Sequence, residues 1–159
     1  MVIFESGVEK MFFDAHELKT NEIFLKLVET VEANPEKRWV PVYRFNICLV
    51  SDASEIGHCD FRVGNTEKLY FGGNIGYKIC EKYRGNHYAG KACLLLFDLA
   101  RKHGMDYLYI TCNPENIASR KTCEFAGGVL ESTIDLPTDN DMYMYDGERR
   151  KCIYRFNLK

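Results

Sequence analysis

Residues 81–103, EKYRGNHYAGKACLLLFDLARKH, constrain this chain more than any other stretch. An apolar, strand-like run ends just before them, an Arg-Gly turn follows, and a strongly apolar helix begins near Ala89. Ala92, Leu95, Leu96, Leu99 and Ala100 recur at helical spacing and predict its buried face, with Lys91, Asp98, Arg101 and Lys102 outside. His103-Gly104 supplies a cation and a C′ glycine at its end. A strand turning straight into a helix aims the helix's unbonded N–H groups and positive dipole end at one point. That makes an anion site, most often for phosphate. The amides of Gly85 to Gly90 are the candidate donors, and Gly85 and Gly90 permit close approach.

The rest of the chain supplies a frame for this unit. Asn21–Ala33 carries Ile23, Phe24, Leu27, Val28 and Val31 at helical spacing, and Asn34-Pro35 ends the run, so a helix is expected there. Trp39–Val50, rich in β-branched and aromatic residues, and Ile56–Val63, which alternates, read as a strand hairpin joined by the turn Ser51–Ser54. Gly64–Glu67 is a turn, and Gly73–Cys80 is the strand feeding the Arg-Gly turn. Tyr107–Cys112 is a short buried strand. Asn113-Pro114-Glu115 reads as N-cap, proline at N1 and first-turn acid of a helix that runs to about Ala126 and stops at Gly127-Gly128. Val129–Leu136 and Lys151–Leu158 are the last strands, with a polar connection over 137–148. Hairpins at both ends and a β-α-β crossover between them predict an α+β (α/β) sandwich: one mixed, mostly antiparallel sheet flanked by helices.

A chain of 159 residues is most simply a single domain over 1–159. Its net charge of −2 gives no basic excess to argue for nucleic acid. The first residues, MVIFESGVEKMFFDAHELK, lack an apolar core long enough for a signal peptide, and no run approaches the ~20 apolar residues of a membrane span. Seven cysteines, at 48, 59, 80, 93, 112, 123 and 152, are odd in number, contain no C-x-x-C and sit in apolar segments. They read as reduced, buried thiols in a cytoplasmic protein, with no metal site and no disulfide frame.

Two spellings then carry a resemblance. Arg84-Gly85-Asn86-His87-Tyr88-Ala89 resembles the [QR]-x-x-G-x-[GA] signature of the GNAT N-acetyltransferases, with His87 in place of the central glycine. Residues 111–128, TCNPENIASRKTCEFAGG, resemble the family's N-x-x-[AS] pattern closed by Gly-Phe, with Asn116 on the Asn position, Ser119 three residues on, and Gly128 where the family has Phe. The likeness runs over about 73–136 and looks most like an uncharacterised branch of predicted acetyltransferases.

The resemblance implies a GNAT fold and acetyl-CoA as cosubstrate, held at its pyrophosphate by Arg84, Gly85, Asn86, His87, Tyr88, Ala89 and Gly90. It implies a pantetheine arm lying along Tyr77, Lys78 and Ile79, and contacts from Asn116 and Ser119. The implied reaction is direct attack of a primary amine on the thioester. The acceptor is left open among a polyamine, an amino sugar, and a protein N-terminus or lysine; a homodimer is compatible with the sequence. Relatives often carry a tyrosine acid seven residues after the helix Asn, where Cys123 stands here. A thiol of pKa about 8.5 leaves readily without help. Glu81 is the first candidate base, because Tyr77, Ile79 and Glu81 would share one strand face. Asp60, Glu55 and His58 read more simply as structural or solvent-facing, and Tyr143, Tyr145 and Tyr154 as hairpin packing rather than an acceptor pocket. The altered glycine and absent tyrosine keep two other readings in view: a catalytically silent acyl-CoA-binding module, or a protein-interaction subunit.

Overall fold

The computed structural model describes residues 4–5, 8–9 and 11–159; the start of the segment read above for a leader lies outside them. Two short strands, β1 (Phe4–Glu5) and β2 (Val8–Glu9), pair with each other. Four strands follow as an antiparallel sheet in the order β3 (Ile23–Val31), β4 (Val42–Leu49), β5 (Glu55–Arg62), β6 (Ile75–Ile79). A short helix α1 (Glu67–Gly72) joins β5 to β6. Helix α2 (Tyr88–Lys102) crosses from β6 to β7 (Tyr107–Cys112), and α3 (Ile117–Phe125) leads on to β8 (Val129–Asp135). After α4 (Asp141–Asp146), β9 (Arg150–Asn157) inserts between β7 and β8 as the middle of a three-stranded antiparallel sheet. No described helix is long and apolar enough to cross a membrane.

The helix expected over 21–33 is instead strand β3. Ile23 and Leu25 are buried on one face, and the ladder with β4 shifts register between Leu27 and Glu29, leaving Val28 at the bulge and exposed. A strand with apolar residues on both faces and a one-residue bulge presents the same spacing as a helix. Pairing with β4 decides the outcome, since isolated propensity is weak beside cross-strand burial. Helices α1 and α4 fall where turn and loop were expected; each has six residues and an Asn or Thr before it. The hairpin β4–β5, strands β7, β8 and β9, and helix α2 stand close to their expected bounds. Helix α2 buries Ala92, Cys93, Leu96, Leu99 and Ala100, and Gly104 ends it with φ 74°.

One buried asparagine joins the two sheets. Asn74, fully buried, receives the Arg62 N–H at its carbonyl (2.7 Å) and donates its own N–H to Tyr109 O (2.7 Å). Its side-chain oxygen accepts from Tyr109 N (3.0 Å), while Nδ2 donates to Arg62 O (2.9 Å) and Gly64 O (2.8 Å). Gly73 lies so close to β7 that a Cβ there would stand 3.1 Å from Thr111 N. The sheets therefore touch at the start of β6. Toward its end, at Tyr77–Ile79, β6 faces the first turn of α3 instead of a strand.

Candidate functional site

That opening forms a cavity of about 450 Å³ between the end of β6, the turn after it and the first turns of α2 and α3. Tyr77, Lys78, Ile79, Arg84, Gly85, His87, Tyr88, Ala89, Asn116 and Ser119 all line it. Tyr83, Ala118, Lys121 and Thr122 line it too, without having been anticipated. The last three sit at i, i+3 and i+4 on α3, so a helical projection from Ser119 was the signal that could have found them.

The turn is built to leave amides open. Chain reversal begins with a 3-10 turn over Glu81–Tyr83, and Arg84 Nε donates back to Ile79 O at 2.9 Å. Gly85 has φ 88° and His87 φ 60°, so the position where the family signature has glycine does need the left-handed region. For histidine this costs about 1 kcal/mol, offset by its ring lying flat on Phe125 with centroids 4.3 Å apart. His87 gives α2 no side-chain cap. The first N–H groups of the helix, from Tyr88 to Gly90, have no intrahelical acceptor and point toward the cavity with the positive dipole end.

Three expected site residues stand elsewhere. Asn86 is exposed and not in the cavity wall; its Nδ2 braces the turn by donating to Tyr83 O at 3.1 Å. Gly90 serves packing rather than ligand approach at its Cα, since a Cβ there would meet Phe125 Cδ1 at 2.3 Å. Glu81 is exposed and sits in the 3-10 turn after β6, so it shares no strand face with Tyr77 and Ile79, and it lines neither cavity. Asn116, not Asn113, caps α3: its Oδ1 accepts from Ser119 N at 3.1 Å.

The main chain of β6 has a free side. Arg62 N–H bonds Asn74 O and Cys80 N–H bonds Ile56 O, which fixes the parity of the β5–β6 ladder. Gly76 and Lys78 therefore turn their main-chain groups toward β5, and Tyr77 and Ile79 turn theirs toward the cavity, where the Ile79 carbonyl is taken by Arg84 Nε. Lys78 contributes only its side chain there.

Side-chain hydroxyls meet at the same place. Tyr77 Oη lies 2.6 Å from Ser119 Oγ, bridging β6 and α3. Burial, with the Cys123 sulfur nearby, pushes the Tyr77 phenol well above its ordinary value, partly countered by the Ser119 bond. Cys123 is fully buried, and desolvation pushes its thiol up to about 12. Such a thiol is a poor nucleophile. Cys123→Ala is expected to keep at least about a tenth of wild-type turnover, a barrier change under ~1.4 kcal/mol. Mass spectrometry of the protein with acetyl-CoA alone is expected to show no acetyl adduct on Cys123.

A second groove, of about 460 Å³, lies on the polar face of the four-stranded sheet and meets the first at Tyr77. Arg44, Asn46, His58, Asp60 and Arg62 line it, alternating with the core residues Phe45, Cys59 and Phe61. Tyr154 is buried in the core and bonded to Arg120 Nε at 3.2 Å, while Tyr145 is exposed, so the tyrosines of 143–154 form no shared pocket. Six of the seven cysteines are buried and Cys80 is exposed; all are free. Among the described residues no group of three or more His, Cys, Asp or Glu is placed to hold a metal ion.

The family model for the acetyltransferase (GNAT) domain matches residues 9–129. Comparison with curated proteins gives no significant match. Among solved structures, the chain resembles a GNAT-family acetyltransferase from Bacillus anthracis (20% identity, TM-score 0.57, 72% of this chain and 66% of that one). It also resembles the microcin C7 self-immunity acetyltransferase MccE in complex with acetyl-CoA and AMP (18%, 0.56, 73% and 61%). A third is the ribosomal-protein-S5-alanine acetyltransferase from Vibrio fischeri (16%, 0.58, 74% and 62%). At these identities the likeness is one of fold, and the chain spans somewhat under two thirds of the length of each.

Proposed function

The chain belongs to the GNAT acetyltransferase family, and from that premise we propose that it is an acetyl-CoA-dependent N-acetyltransferase, one domain over 1–159, whose primary-amine acceptor attacks the thioester directly. The observation that carries this is the main-chain edge of β6 that faces away from β5, the N–H and carbonyl of Tyr77 and the N–H of Ile79, running into the uncapped start of α2. An extended amide-bearing arm can hydrogen-bond that edge as an added strand would. A pyrophosphate can then rest on the amides of Tyr88, Ala89 and Gly90, with Arg84 and Lys121 nearby. The donor set fits acetyl-CoA.

In this reading the Tyr77 N–H polarises the thioester carbonyl and receives the charge that develops on its oxygen. The amine nitrogen forms the new C–N bond, and collapse breaks the C–S bond. The departing sulfur takes a proton from the Tyr77–Ser119 hydroxyl pair, which lines this cavity. This pair stands in the cavity wall, which Cys123, fully buried behind it, does not reach. The acceptor is an α-amino group at a polypeptide N-terminus or a small amine; the Vibrio fischeri structure is of a ribosomal-protein-S5-alanine acetyltransferase by its name, and MccE is a self-immunity acetyltransferase. Free thiols throughout suit the cytoplasm.

Calorimetric titration with CoA, followed by thiol release from acetyl-CoA across a panel of amines, tests the assignment. Binding together with amine-dependent release is expected; binding with no release would leave an acyl-CoA-binding module, and no binding would end both. Tyr77→Phe removes the phenolic proton but keeps the ring. It is expected to lower kcat roughly tenfold to a hundredfold, with acetyl-CoA KM nearly unchanged. An unchanged kcat would mean that the thiolate leaves unassisted.

A further inference from the structure

Resting on that transferase reading, we propose that the acceptor is a primary ammonium cation that enters across the polar face of the four-stranded sheet, and that Asp60 is the catalytic residue that receives it and takes its proton. The sheet register places Glu29, Arg44, Asp60 and Gly76 side by side across four strands. Glu29 binds Arg44 (2.7 Å), so this guanidinium is drawn toward the outer strand and away from β6. Asp60, by contrast, leans inward. Its Oδ1 accepts the Gly76 N–H at 2.9 Å and its Oδ2 lies 3.1 Å from Arg62 Nη2.

Gly76 is what makes this lean available. A Cβ at that position would stand 2.6 Å from Asp60 Oδ1, so any other residue there drives the carboxylate off β6. Arg62 also donates to Gly73 O at 3.0 Å, which ties the ion pair to the backbone and fixes the carboxylate's direction. The result is a positioned anion over the residue next to Tyr77, whose N–H faces the other cavity. Tyr77 is the one residue that both grooves share.

A cation in this groove is drawn to Asp60 and arrives beside the thioester carbonyl from the side opposite α2. Asp60 first takes one proton from the ammonium, which frees the nitrogen lone pair, and passes that proton to solvent. As the neutral amine forms the C–N bond and the C–S bond breaks, the second nitrogen proton passes to the Asp60 carboxylate. The thiolate is protonated from the Tyr77–Ser119 pair, and solvent carries this second proton from Asp60 back to the pair, so that one proton is released in each turnover. Glu81, beyond the end of the strand, has no such line to the carbonyl.

The test uses the whole chain, saturating acetyl-CoA, and cadaverine or glycinamide as the probe amine. Asp60→Asn keeps an oxygen for the Gly76 N–H but removes the charge. It is expected to lower kcat/KM for both amines roughly a hundredfold, with CoA affinity within about twofold of wild type. Gly76→Ala, which displaces the carboxylate without removing it, is expected to raise the amine KM in the same direction. Should Asp60→Asn lose CoA binding through misfolding, Gly76→Ala decides. Amine kinetics at wild-type level in Asp60→Asn, or in Gly76→Ala where that variant decides, overturns the Asp60 assignment and leaves the transferase standing. Wild-type protein that binds CoA but releases no thiol with either amine overturns both.

Discussion

Replacing Ala89 with aspartate is expected to abolish acetyl-CoA binding while leaving the fold standing. Ala89 is the second residue of α2, buried at the edge of the core, and it lines the cavity where the helix's first amides are open. An acid in a first helical turn favours the helix by about 0.3–1 kcal/mol, which offsets part of the cost of placing a carboxylate at this position. Its carboxylate competes for the same N–H groups and stands against the proposed pyrophosphate. Two like charges about 4 Å apart in a site of effective dielectric near 20 repel by about 4 kcal/mol, roughly a thousandfold in affinity. Calorimetry with CoA beside a thermal melt separates the two effects. Wild-type affinity in a folded Ala89→Asp protein would remove the phosphate from this turn.

The turn was legible because its signals are local. Gly85, the apolar face of α2 and Gly104 each specify backbone geometry within a few residues, and the structure has a positive φ at both glycines. His87 shows the limit of such reading. A positive φ there was foreseeable from the family pattern, but the ring that compensates, Phe125, lies on α3, 38 positions along the chain and invisible to any window around the turn. The same contact explains Gly90, which looked like a ligand-approach glycine and is held small by Phe125.

Elements whose identity depends on a partner were the ones misread. Strand β3 has helical apolar spacing and becomes a strand because β4 offers it a ladder. Glu81 looked in line with Tyr77 and Ile79 only on the assumption that β6 continues; the 3-10 turn ends the alternation two residues too soon. Asn113 and Asn116 are both plausible caps by residue type, and Pro114 favoured the first. The structure spends Asn113 to Asn116 on a turn, with Asn116 N–H donating to Asn113 O at 2.9 Å, before the helix begins. The Tyr77–Ser119 bond joins residues 42 positions apart, and neither gives any sequence sign of the other. Asp60 alternated with core residues as any solvent-facing strand acid does, and only the register with Gly76 distinguishes it.

Asn74→Ala is expected to be the most damaging substitution of a polar residue in the chain, and to act on site geometry as well as stability. Gly73-Asn74 precedes a strand and carries no motif, yet its side chain makes three hydrogen bonds in a fully buried position. Alanine leaves the Tyr109 N–H without that acceptor and the carbonyls of Arg62 and Gly64 without that donor. At about 1–3 kcal/mol for each unsatisfied buried group, the loss is about 4 kcal/mol or more, a large share of the roughly 5–15 kcal/mol that holds a domain together. For a chain of this size that is a fall in Tm on the order of 10 °C. Asn74→Asp separates the contributions: it keeps the acceptor for Tyr109 but sets a second oxygen against two carbonyls, so it is expected to be at least as destabilising as alanine. Because Asn74 holds the start of β6 against β7, the angle at which Tyr77 and Ile79 diverge from α3 depends on it. CoA affinity is therefore expected to fall in the alanine variant even at temperatures where it remains folded. A denaturant midpoint close to wild type, with CoA affinity unchanged, would show that the two sheets keep their register without this side chain.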